Sequence, residues 1–181
     1  MTYLWRIASD CPDNLIAIHD KDTVDPVLFR KAVPFDSAKP VRFVFRGLLS
    51  TIRRECYFPN SAMLPLVSNE TGACLLNLAG TSVQGVPAVV ACDDGEMEAT
   101  LINPLKAIPA VDWSASKALH IPGTKQVMKL QKLQLLPESM EGIHLARLDD
   151  FRSFLLVSEC VKDLFAGSRL CEFTLPSEIR P

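Results

Sequence analysis

The chain has 181 residues, 48% hydrophobic and 22% charged, with a formal net charge of -2. These proportions suit one domain with an ordinary core and exclude a disordered chain. A charge so near neutral predicts no general attraction to nucleic acid or anionic membranes, and no apolar run approaches the roughly 20 residues that span a bilayer.

Residues 3–8 alternate and predict a first strand. Asp10, Cys11, Pro12, Asp13 and Asn14 predict a turn, and residues 15–19 a second strand. Residues 20–25 are charged, and Pro26 opens a short helix or loop through Arg30. Pro34 and Pro40 bracket a loop. Residues 41–46 predict a strand with Arg42 and Arg46 on one face and Phe43 and Phe45 on the other. With Arg53 and Arg54 these arginines form a basic cluster along the chain. A nucleic-acid patch calls for a basic domain around it, so a solvated strand face with local acidic partners is the expectation.

After the apolar run 64–67, Ser68 is placed to cap a helix, and Glu70 sits where the helix dipole favours negative charge. Leu75, Leu78 and Ala79 have the spacing of a buried stripe, Gly80 is a stop, and Gly72 weakens the helix interior. Residues 86–92 are apolar and partly β-branched. Asp94-Gly95 predicts a type I′ turn between Asp93 and Glu96, and residues 97–102 return. The hairpin tip collects Asp93, Asp94, Glu96 and Glu98. Carboxylates at an exposed turn are ordinarily solubilising, and a metal site needs oxygens converging from more than one turn. A third reading is an acidic knob offered to a basic protein partner.

Asn103-Pro104 ends the hairpin, and residues 105–108 continue extended. Trp113 is expected as a half-buried anchor, or else part of a pocket wall, with Asp112 and Ser116 tying down a local turn. Residues 117–121 predict a strand, 122–124 a turn, 126–136 a strand rather than a helix, and 137–142 a loop. Residues 143–148 alternate, and Asp149-Asp150 turns the chain. It closes on a strand over 154–157 and a helix capped by Ser158, with Glu159 in its first turn and Val161, Leu164 and Phe165 as its buried stripe. A stop at Gly167 and a strand over 170–175 follow. This order repeats that of residues 64–90, either as an old duplication or as convergence on common capping chemistry. The expected fold class is α+β, a single domain over 1–181 with mixed, mostly antiparallel sheets and a few short helices.

Little in the chain points to catalysis. His19, His120 and His144 lie in no motif with Cys or Ser, and there is no Gly-x-Ser-x-Gly elbow, phosphate-cradling glycine loop or paired Cys/His spacing. Cys11, Cys56, Cys74, Cys92, Cys160 and Cys171 are scattered, which reads as reduced thiols. The N-terminus has no signal-peptide pattern, so the cytoplasm is the expected compartment. No catalytic residue, cofactor or metal is expected.

Four motifs occur in order: Pro65-Leu66-Val67-Ser68, Leu101-Ile102-Asn103-Pro104, Val111-Asp112-Trp113-Ser114-Ala115-Ser116, and Leu155-Leu156-Val157-Ser158-Glu159 with Gly167 after it. Together they resemble a bacterial family long catalogued as a domain of unknown function. Its members are associated with polymorphic toxin systems as immunity proteins, immunity family eleven. The resemblance covers residues 64–175. Residues 1–60 match poorly, and Ala146-Arg147 stands where the family pattern has a Phe-Arg pair. The resemblance implies a cytoplasmic antidote that binds a cognate toxin by protein–protein contact and blocks it, without catalysis, cofactor, nucleic acid or membrane. It carries no residue map of the toxin contact. Toxins that act on nucleic acids or nucleotides often have basic clefts, so Asp93, Asp94, Glu96 and Glu98 are the candidate contact. The alternative is a small-molecule-binding protein or an enzyme.

Overall fold

A computed structural model describes residues 1–36, 38–123 and 127–178, without the side chains of His120 and Lys129. The fold is α+β. In chain order the elements are β1 (Thr2–Ile7), β2 (Ile18–His19), β3 (Val41–Val44), α1 (Leu49–Ile52), β4 (Leu66–Val67), α2 (Asn69–Ala79), β5 (Val83–Cys92) and β6 (Gly95–Pro104). There follow β7 (Ala107–Ile108), β8 (Lys117–His120), β9 (Val127–Lys132), β10 (Leu145–Leu148), β11 (Phe151–Ser158), α3 (Glu159–Asp163) and β12 (Cys171–Thr174). Among the described residues, no helix is long and apolar enough to cross a membrane.

One sheet runs β12-β1-β11-β10-β7, the other β2-β3-β5-β6-β4, and β8-β9 is a separate ribbon. Pairing is antiparallel except for β3 with β5 and β7 with β10. The predicted strand over 15–19 shortens to Ile18–His19, because Leu15 belongs to a 3₁₀ turn and the Ala17 N–H donates to Pro59 O. Strand β3 alternates as expected, with Phe43 and Phe45 buried and Arg42 and Arg46 outward. Strand β10 does not alternate: all four of its residues are buried, because its sheet is covered on both faces. Leu145 faces a cluster shared with α3 and the second sheet, and Ala146 and Leu148 face Ala110, Leu133 and Met140. Gln126 and Thr124 of the predicted strand and turn lie outside the described residues.

The two strand–helix–strand units share a topology. Strands β4 and β5 flank β6, antiparallel to it, and β11 and β12 flank β1 in the same way. Capping chemistry is not what they share. Ser68 Oγ accepts the Thr71 N–H at 3.2 Å, whereas Ser158 makes no side-chain cap bond and its hydroxyl meets His144 instead. Helix α2 runs unbroken through Gly72, whose bare Cα lets the helix lie on β6; a Cβ there would come within 2.7 Å of Thr100 Cβ. Of the predicted stripe, Val161 in α3 and Phe165 beyond its end are buried, and Leu164 is 37% exposed. The helix stops at Asp163, so Leu164 and Phe165 lie in the turns that follow it.

Candidate functional site

The longest ladder in the molecule carries the acidic tip. Strands β5 and β6 pair from Val83–Pro104 to Cys92–Gly95, so the loop is Asp93-Asp94, one residue before the predicted turn. Neither aspartate has a positive φ, which rules out type I′. Both registers would put the same side chains inward, since they differ by a two-residue slip. Contacts with residues 47–49 choose between them. The Asp93 N–H donates to Gly47 O at 3.0 Å, and Asp94 Oδ1 accepts the Leu49 N–H at 2.7 Å. That second bond satisfies a first-turn donor of α1 that Leu48, at the cap position, has no side-chain oxygen to take.

All four tip carboxylates are exposed. Glu96 Oε1 lies 2.6 Å from Arg42 Nη2, the local acidic partner anticipated for that strand face. An exposed pair of this kind contributes about 0–1 kcal/mol, so it orients both groups more than it stabilises the fold. Among the described residues, the Asp93 and Glu98 side chains have no hydrogen-bonding or ionic partner. The tip thus divides into two carboxylates held by the fold and two left to solvent. Arg46, Arg53 and Arg54 are exposed as well.

Trp113 is 44% exposed, with its ring centroid 6.1 Å from that of Phe151. Asp112 Oδ1 accepts from Ser114 Oγ at 2.6 Å and from the Ser114 and Ala115 N–H groups. The Ser114 hydroxyl bond does most to hold the Asp112 carboxyl below its ordinary pKa. The Ser116 N–H closes the same turn onto Asp112 O, and its hydroxyl reaches across to the Gln134 backbone.

The histidines are dispersed. His19 is buried, edge-on to Phe43, and its Nε2 has no partner among the described residues. Burial pushes its pKa down, with Asp20 and Asp25 pulling weakly the other way. His144 Nδ1 lies 3.0 Å from Ser158 Oγ, a contact between paired strands whose backbones also bond. A nucleophilic serine needs the imidazole oriented by a third group. No carboxylate is bonded to His144 among the described residues. Nor, among them, do three or more His, Cys, Asp or Glu side chains gather to hold a metal ion.

Sequence reasoning missed a cavity. The β1–β11 ladder ends at Trp5–Leu155, although β1 continues to Ile7 along β12 and β11 starts back at Phe151 along β10. The strands part because the β10 register jumps from Arg147–Leu155 to Leu148–Phe151, leaving residues 152–154 as a wide bulge. Arg147, 1% exposed, stitches the bulge down: Nε donates to Phe29 O at 2.8 Å and Nη1 to Arg152 O at 2.7 Å. Burial, with Arg30 and Arg152 nearby, lowers its pKa to about 10. Across the gap, buried Asn60 donates to Phe58 O and Leu64 O and accepts the Leu64 N–H. That turn sets Met63 at φ 53° and leaves it 57% exposed at the cavity mouth. The space between is an open-mouthed cavity of about 270 Å³, with Trp5, Tyr57, Leu64 and Phe154 among its walls and Arg6 and Ser153 beside them. No signal in the sequence announces it, since its walls come from three separate stretches of chain.

No protein-family model matches the chain, and no curated protein does either.

Proposed function

We propose that this chain is an immunity-type binding protein: it neutralises a cognate toxin in the cytoplasm by gripping it, and performs no chemistry of its own. The observation that supports this reading best is the acidic tip of the β5–β6 hairpin. Ten-residue strands brace it from behind, and the Asp94 and Glu96 side chains are already fixed by Leu49 and Arg42. A surface ordered before binding loses less conformational freedom on association. Asp93 and Glu98 remain free to meet cations on a partner, and charge placed this way steers encounter and sets orientation more than it adds affinity. A stable complex buries about 1,600 Å² in total, so the tip is the electrostatic part of a wider contact.

The test uses the product of the adjacent gene as binding partner. Asp93→Asn with Glu98→Gln is expected to slow association about tenfold at low salt and to flatten its salt dependence, with Tm unchanged, because neither side chain serves the fold. Neutralising Asp93, Asp94, Glu96 and Glu98 together should weaken association further. If affinity and salt dependence survive the fourfold change, the contact lies elsewhere.

A further inference from the structure

We propose that the cavity between the parted ends of β1 and β11 is a binding site for a small apolar carboxylate, of the size of an arylalkanoic or medium-chain fatty acid. This site is separate from the acidic tip and does not rest on the toxin-binding reading.

Two unfavourable local features keep the cavity open. On one side is the bulge at 152–154, held by a guanidinium buried without a carboxylate partner among the described residues. On the other is the Asn60 turn, which holds Met63 in a left-handed conformation that a side chain rarely adopts. A simple continuation of the β1–β11 ladder would have filled the same space with paired strand.

Size and chemistry narrow the occupant. A dry cavity of about 150 Å³ accepts benzene, so about 270 Å³ has room for a phenyl ring with a short chain, or for a chain of several carbons. Trp5, Tyr57, Leu64 and Phe154 offer the apolar wall typical of small-ligand pockets, and Met63 offers an adaptable lip. Arg6 supplies the charge. It is exposed beside the cavity and has no acidic partner among the described residues. Glu172, its register partner on β12, instead accepts the Ser9 N–H at 3.1 Å. An acid would bury its apolar body against Trp5 and leave its carboxylate with the Arg6 guanidinium, a charge-assisted bond.

The probes are 3-phenylpropanoate, octanoate and the uncharged 3-phenylpropanamide, titrated by calorimetry and by fluorescence of a Trp113→Phe variant in which Trp5 is the sole tryptophan. At least one acid is expected to bind saturably at one site and to perturb Trp5 emission. Phenylpropanoate should bind about three- to fivefold more tightly than its amide, the most that an exposed ion pair supplies. Arg6→Gln should erase that difference and spare the amide. Ser153→Phe, which fills the cavity from the exposed bulge, should abolish binding of every probe with the melting transition retained. Failure of both acids to saturate would overturn the assignment. So would equal affinity for acid and amide, or undiminished binding to a folded Ser153→Phe protein.

Discussion

His19 and Arg147 show what single polar side chains cost and contribute in this interior. Arg147 brings a cation inside and meets two carbonyls rather than a carboxylate, and its bonds define the bulge that parts β1 from β11. His19 is favoured in its neutral form, since burial lowers its pKa against the opposing pull of Asp20 and Asp25. The unfolded chain then takes up the proton more readily than the native one, so stability rises with pH across the interval between the two pKa values. The contribution is complete above the unfolded value of about 6.5 and is lost as pH falls through the interval toward the native value. Between about pH 7.5 and about pH 5, the Tm of the wild type should therefore fall more steeply than that of His19→Gln. Parallel melting profiles would contradict the account. Neither histidine environment was readable beforehand: Ser61 binds the His19 N–H from 42 positions away, and Ser158 reaches His144 only because β10 and β11 pair.

At the scale of the elements, local chemistry was legible where one segment settles its own structure. Ser68, Glu70 and Gly80 bound α2 as their types predict, and the alternation over 41–46 placed Phe43 and Phe45 inward. Legibility failed where a distant segment decides. The hairpin turn sits one residue earlier because residues 47–49 hold Asp93 and Asp94, and the Ser158 hydroxyl meets His144 instead of capping α3. Gly72 weakens α2 on propensity alone, yet it is a point of close approach between helix and sheet. Gly72→Ala improves helix propensity by about 1 kcal/mol but drives a methyl into Thr100, and such overpacking costs about 1–3 kcal/mol. The net expectation in urea unfolding is a loss of stability. Gly80→Ala meets no atom within 4 Å, so its cost is the backbone strain alone, about 1–3 kcal/mol at φ 54° and ψ -133°. A more stable Gly72→Ala protein would show that helix and sheet have room to separate.

Across the whole molecule, two five-stranded sheets share a buried cluster that joins Trp5, Tyr57, Leu75, Ile102, Leu155 and Phe165. The α+β class followed from the alternation of strand-like and helix-like runs, but the sheet order did not, because β1 pairs with the last strands of the chain. The acidic tip was legible because one hairpin presents it. The cavity was hidden because β1, the Asn60 turn and the β11 bulge assemble it from afar. We propose that this molecule acts by holding another protein. The most direct test is to co-express the chain with the product of the adjacent gene and to follow both complex formation and survival of the host. The prediction is a stable stoichiometric complex, with toxicity suppressed in proportion to the complex formed and no turnover by the chain itself. Protection without any complex, or a neighbouring product that is neither toxic nor bound, would contradict it.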